Sequence, residues 1–248
     1  TRHIDFEEGG HDERRILASQ LIIKSPGIPE KVELVQKAMA SGIEVIDEIE
    51  FAYRHTNARM IAITGTNGKT TTTLLTYHLL KSAGFNVGLA GNVGKSLARQ
   101  VAEQQHDWYV IEISSFQLDG TRLFSPFVGI LLNITPDHLD RYGYLMDAYI
   151  ASKFQFVKNM KAGQWFVYYA GDATIRNWLA THTVEANKIG FTLDGGSSTV
   201  FSDGDQMSFH LGEAFQISQS DTTLKGPHNL INSMAAITAA YLASVPLA

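Results

Sequence analysis

One stretch constrains this chain more than any other: Ile61-Ala62-Ile63-Thr64-Gly65-Thr66-Asn67-Gly68-Lys69-Thr70-Thr71-Thr72-Thr73, an apolar run, a glycine turn, then Lys-Thr opening a helical pattern. That order predicts a buried strand ending near Ile63, a tight curl that Gly65 and Gly68 permit, and a helix from about Lys69 whose first amides face an anion. Gly65, Thr66, Asn67, Gly68, Lys69, Thr70 and Thr71 are therefore the expected phosphate cradle. Lys69 is placed to reach the β- and γ-phosphates of a nucleoside triphosphate, and the Thr70 hydroxyl to ligate Mg2+. The loop is a short form, because the general pattern has glycine five positions before Gly68 and Ile63 stands there instead.

Around this loop the chain reads as α/β. Downstream of Arg59, short apolar runs at 61–64, 87–90, 108–113, 128–134 and 165–169 alternate with helical patterns at 69–82, 95–104 and 144–160, as a mostly parallel sheet flanked by helices requires. After Thr183 the runs shorten and Gly, Ser and Asp turns multiply, which predicts a small antiparallel addition. A final Ala-rich helix is expected to follow Gly226-Pro227-His228-Asn229. Residues 1 to about 55 hold a lesser unit: a strand at 21–23, a rigid Ser25-Pro26-Gly27-Ile28-Pro29 turn, a helix at 30–40 closed by Gly42, a strand at 43–46, and a helix capped by Asp47. Such a unit cannot bury a core alone, so the sequence reads as part of a longer protein.

Composition narrows the function. A net charge of -5 with no Lys/Arg block argues against binding nucleic acid through its phosphates. The absence of cysteine excludes disulfides, zinc thiolates and thiol nucleophiles. No apolar run has membrane-spanning length, so the expected setting is cytoplasmic, without membrane insertion.

Glu112 interrupts the apolar run Tyr109-Val110-Ile111, and a carboxylate buried at a strand end calls for a cation, here Mg2+ beside the phosphate loop. Asp137-His138 and Asp140-Arg141 lie just past the following strand, at the carboxyl end where open α/β sheets bind ligands. Lys153 falls in the helical pattern after them and on position alone reads as a surface lysine with a snorkelled stem. Asn229 and Asn232 share a helical face, fit either for capping or for reading a nucleotide edge.

Together these segments resemble the Mur ligase family of ATP-dependent amide-forming enzymes. The carrying motifs are Thr64 to Thr70, Glu112-Ile113-Ser114-Ser115-Phe116-Gln117-Leu118, Asn133-Ile134-Thr135-Pro136-Asp137-His138-Leu139-Asp140-Arg141-Tyr142, Lys153, and Gly226-Pro227-His228-Asn229 through Asn232. The resemblance implies three domains, with residues 1–55 the latter part of a Rossmann-like UDP-substrate domain, 56–248 the central ATP-binding domain, and a third domain beyond the chain; this segment alone is then expected to be inactive. It implies ATP and two Mg2+ sites, one on Thr70 and Glu112, the other on His138 and a carbamylated Lys153, so that Lys69, His138 and Lys153 are the catalytic set. Asn229 and Asn232 correspond to adenine-side positions; Ser25, Asn92, Ser114 and Gln117 to positions facing a UDP-linked substrate. The Ser-Ser-Phe-Gln-Leu block with Asp-Arg-Tyr downstream points within the family to UDP-N-acetylmuramoyl-L-alanine and D-glutamate as partners of a monomeric enzyme. A folylpolyglutamate synthetase, another Mur ligase or a non-catalytic nucleotide-binding module are the alternatives.

Overall fold

The computed structural model describes residues 4–196 and 198–247; residues 1–3 and 248, the outermost of the two expected units, lie outside them. After a short helix α1 (Glu13–Leu17), strand β1 (Leu21–Lys24), helix α2 (Glu33–Ala40) and strand β2 (Glu44–Asp47) make a small unit whose two strands pair in parallel, Leu21 opposite Glu44 and Lys24 opposite Asp47. Gly42 closes α2 with φ 77°, a left-handed angle that glycine adopts without strain. Asp47 caps α3 (Glu48–Tyr53), its carboxylate accepting from the Ile49 amide at 3.0 Å.

The larger unit alternates strand and helix: β3 (Arg59–Thr64), α4 (Lys69–Ser82), β4 (Val87–Gly91), α5 (Leu97–Glu103), β5 (Trp108–Glu112), α6 (Ser115–Asp119), β6 (Val128–Leu131), α7 (Met146–Lys153), β7 (Trp165–Tyr169), α8 (Ala173–Thr181) and β8 (Asn187–Thr192). Then come β9 (Val200–Asp203), β10 (Gln206–His210), β11 (Ala214–Ser218) and α9 (Pro227–Leu242). The strands form one sheet in the order β11-β10-β9-β8-β7-β6-β3-β5-β4. From β4 through β8 it is parallel, and β3 lies at its centre between β5 and β6.

Because β3 is covered on both faces, it reads as a continuous apolar run. Met60 and Ala62 enter a core shared with Tyr109, Ile111, Phe154 and Phe166, whereas Ile61 and Ile63 enter another with Val110, Ile130, Met234 and Ala235 of α9. Each such isoleucine, fully enclosed, stabilises the fold by about 1.5–3 kcal/mol. Ile49 and Ala52 of α3 belong to the first of these cores, so the small unit is tied to the large one by packing. The tie is reinforced by Glu50. Its carboxylate, without solvent exposure, accepts from the amides of Arg122, Leu123 and Phe124 and from Arg54 Nε at 2.7 Å.

Several elements differ from the sequence reading. Residues 187–192, expected in the antiparallel part, extend the parallel sheet beside β7; β9 also pairs in parallel with β8, so antiparallel pairing begins only between β9 and β10. Helices α1, α6 and α8 come in addition to the expected ones; each opens on a polar cap, Asp12, Ser114 and Asp172. The expected helix 144–160 ends at Lys153 and continues as a tighter turn at Gln155–Asn159. The tighter winding lets Phe154, Phe156, Val157 and Met160, which do not share one 3.6-residue stripe, all enter the core. Gly129 in β6 makes room for them, since a Cβ there would collide with the Phe156 ring.

Candidate nucleotide and substrate cleft

The loop after β3, the end of β5 and the segment after β6 meet at the carboxyl edge of the sheet, where the strand order reverses about β3 and ligands bind in folds of this kind. Gly65 and Gly68 take φ of 148° and 85°. Side chains are also excluded there by space: a Cβ on Gly68 would overlap Asn232 Oδ1, and one on Gly65 would press on Leu132 and Asn133. Asn133 locks the loop from the side. Its Oδ1 accepts from the amides of Thr66 and Asn67 at 3.1 and 2.8 Å, and its Nδ2 donates to Asn67 O at 3.0 Å. Thr66 Oγ1 in turn meets Tyr149 Oη at 3.1 Å.

Lys69 opens α4 and folds back over the loop, donating to Thr66 O at 2.8 Å. Burial lowers its pKa, while Glu112 and Asp137 work in the opposite direction. Thr70 Oγ1 donates to Glu112 Oε2 at 2.7 Å, and Asn92 Nδ2 donates to Glu112 Oε1 at the same distance. The register explains the meeting: Glu112 lies opposite Ile63 on β3 and Gly91 on β4, so the loop and the residue after β4 both reach its carboxylate. Glu112 is only 2% exposed.

Lys153 is the residue whose placement departs most from the surface-lysine reading. Only 2% exposed, it is the last residue of α7 and donates from Nζ to Gly65 O at 2.8 Å. Burial pushes its amine down to about 7, the neighbouring Lys69 ammonium adds to the effect, and Asp137 and Asp119 oppose it. His138 sits in a left-handed backbone conformation, φ 49° and ψ 30°, beginning the turn at Leu139–Tyr142. Its side chain is 60% exposed, with Nε2 3.5 Å from Asp137 Oδ2 and its ring 5.4 Å from that of Phe116. Lys69, Asn92, Ser114, Phe116, Asp137, His138, Tyr149 and Lys153, with Pro26 and Gly27 of the small unit, line one cleft of about 310 Å³.

Ser114 and Gln117 cap α6 reciprocally, Ser114 N donating to Gln117 Oε1 at 3.0 Å and Gln117 N to Ser114 Oγ at 3.3 Å. Ser114 alone of that pair lines the cleft. Asn232, buried at the glycine of the phosphate loop, accepts from Thr72 Oγ1 at 3.2 Å and donates to Asn229 Oδ1 at 3.3 Å, so the two asparagines do share a face. Thr71, in the first turn of α4, is half-buried. Ser25 is exposed and borders a different hollow, beside Leu21 and Val35; its neighbours Pro26 and Gly27 are the ones at the cleft. Sequence reading assigns no role to Asn133 or Tyr149. An asparagine after a strand is an ordinary turn residue, and its bonds to Asn67 span 66 positions that no local pattern reveals.

In class, then, this is a phosphate-loop α/β protein. Residues 63–240 match the Mur ligase middle domain, and the chain belongs to that family. It is 48% identical over 248 residues to the UDP-N-acetylmuramoylalanine--D-glutamate ligase of Bacteroides thetaiotaomicron and 47% identical over 242 residues to that of Cytophaga hutchinsonii. These alignments cover 99% and 96% of the chain but only 55% and 54% of the two relatives, so the chain spans about half their length. Among solved structures, a UDP-N-acetylmuramoyl-L-alanyl-D-glutamate--2,6-diaminopimelate ligase superposes with a TM-score of 0.65 at 20% identity over 96% of this chain and 60% of the other. A UDP-N-acetylmuramate:L-alanyl-gamma-D-glutamyl-meso-diaminopimelate ligase from Neisseria meningitides gives 0.66 at 18% identity, covering 95% and 78%. At those identities the likeness speaks for the fold. Among the described residues no helix is long and apolar enough to cross a membrane.

Proposed function

We propose that the chain carries the ATP-binding centre, and in residues 1–55 one wall of the substrate cleft, of a ligase that joins D-glutamate to UDP-N-acetylmuramoyl-L-alanine. The names of relatives at 43–48% identity over nearly the whole chain support this reading. The observation that carries it is Lys153: a buried amine brought down to about 7, aimed at the loop carbonyl of Gly65 and sharing a cleft with His138. At neutral pH such an amine is free to react with CO2, losing a proton to become a carbamate anion.

In the proposed reaction the γ-phosphoryl group of ATP passes to the substrate carboxylate, and the amine of D-glutamate displaces phosphate from that acyl phosphate. Chemistry of this kind asks the protein for positioning and charge neutralisation. The loop amides and Lys69 would hold the β- and γ-phosphates. Thr70 and Glu112 place two hard oxygens 2.7 Å apart beside the loop, a donor set that suits Mg2+. Among the described residues no group of three or more His, Cys, Asp or Glu side chains could hold a metal unaided. A second cation near His138 would therefore draw on phosphate oxygens and on the Lys153 carbamate. Mg2+ at these positions supplies neutralisation of the anionic transition state. Asn92 and Ser114 face the same cleft, where a UDP-linked substrate would lie, and Asn229 with Asn232 would face the adenine.

Carbon-13 NMR of the chain in labelled bicarbonate tests the reading. A carbamate resonance is expected in the wild type and absent in Lys153→Met, and Lys69→Ala should lose Mg2+-ATP binding while keeping its fold. A wild type that binds neither ATP nor CO2 at Lys153 would refute the proposal.

A further inference from the structure

Arg141 has no part in the chemistry described above, yet it joins three things that form the cleft. Its guanidinium donates from Nη1 to Gly27 O and from Nη2 to Pro26 O, each at 3.1 Å. The same group lies 4.4 Å from the centroid of the Phe116 ring, which also neighbours the His138 ring. Its own backbone is fixed, the Arg141 amide donating to His138 O at 3.0 Å. The next residue is pinned as well: Tyr142 Oη donates to Asp119 Oδ2 at 3.0 Å and lies 3.1 Å from Ser152 Oγ.

A planar fork with parallel donors and a stacking face can grip a turn and an aromatic ring at once; a lysine ammonium cannot. Pro26 and Gly27 belong to the turn after β1, across a long sequence gap from the large sheet, and they form the wall of the cleft that Lys69 and His138 also line. Resting on the function proposed above, we infer that Arg141 is a positioning residue: it clamps the Pro26-Gly27 turn against the Phe116–His138 wall and so sets the width of the entrance for the UDP-linked substrate. The phosphate loop is held by other groups, Asn133 and Tyr149, so nucleotide binding is independent of this clamp.

The test uses full-length enzyme carrying this segment, comparing wild type with Arg141→Lys and Arg141→Leu in steady-state kinetics and calorimetric ATP binding. The expected result for Arg141→Lys is a KM for UDP-N-acetylmuramoyl-L-alanine raised about tenfold, as for the loss of a charge-assisted hydrogen bond, with kcat and ATP affinity within about twofold of wild type. Arg141→Leu should show a larger rise of the same kind; should it fail to fold, the lysine variant, which keeps charge and length, carries the test. An unchanged KM in the variants of a wild type that does bind the UDP-linked substrate would overturn the clamp alone. A wild type that does not bind that substrate would overturn both the clamp and the proposed function, and a fall in kcat and ATP affinity alongside the rise in KM would overturn the clamp by showing that Arg141 merely maintains the fold.

Discussion

Replacing Lys153 by Met should change how the stability of the chain depends on pH. In the unfolded chain the amine titrates near 10.5; folded, it titrates at about 7. Below pH 7 both states are protonated, and the folded state bears the whole burden of enclosing an ammonium, about 5 kcal/mol if each unit of displacement is worth 1.36 kcal/mol. Between 7 and 10.5 the unfolded chain holds a proton that the folded chain has released, so stability rises with pH across that window. Carried through the two titrations, the rise from pH 6 to pH 9 amounts to about 2–3 kcal/mol. A methionine in its place cannot titrate. The difference in unfolding free energy between variant and wild type, from urea titrations in CO2-free buffers, should therefore favour the variant most at pH 6 and shrink by that amount by pH 9. The lost hydrogen bond to Gly65 adds only a constant offset. A difference that stays level within about 0.5 kcal/mol over this range would refute the claim that burial holds the amine near neutrality.

Asn133→Ala should weaken ATP binding about tenfold or more without unfolding the chain, since it leaves the Thr66 and Asn67 amides without their side-chain acceptor; calorimetric titration with Mg2+-ATP measures it. Gly68→Ala should be more damaging, because a left-handed backbone at φ 85° costs a non-glycine residue about 1–2 kcal/mol and the new methyl must displace Asn232; a normal melting temperature with normal ATP affinity would contradict this. Glu50→Ala should lower stability by about 3–5 kcal/mol by leaving three backbone amides and Arg54 without their shared carboxylate, as read from the urea midpoint.

Legibility of the fold follows periodicity. Strands β3 to β7 are readable because enclosure on both faces leaves an apolar run bounded by turn residues, and α4 because glycine, lysine and threonine mark its start. Strand β8, Asn187–Thr192, misleads. It begins with Asn and Lys, both exposed, and its apolar residues Ile189 and Phe191 alternate as in a hairpin strand. What makes it parallel is the helix α8 before it. That helix lies against the core with Ile175 buried and Trp178 stacked on Phe154, an aromatic contact between distant residues rather than a local pattern.

The site divides along the same line, between bonds made within a few residues and bonds made across the sheet. The loop announces itself because Gly65 to Thr70 are consecutive, and Glu112 because a lone acid in an apolar strand has few physical explanations. Ser114 and Gln117 show that a local signal can bear two meanings: Ser-x-x-Gln is the sequence of a capping box, and in the structure each partner satisfies the other's backbone amide. Facing a ligand and capping a helix are compatible for Ser114, which lines the cleft while its Oγ accepts from the Gln117 amide, but Gln117 is enclosed with its Oε1 already engaged. Lys153 is the opposite case, a residue with no local signal at all. Nothing in Ala-Ser-Lys-Phe distinguishes a surface lysine from one that ends a helix against a carbonyl 88 positions earlier. Its meaning arises only when α7 stops at that residue and the chain tightens to bury Phe154 and Phe156, because the same winding that seats those rings turns the amine away from solvent and toward Gly65.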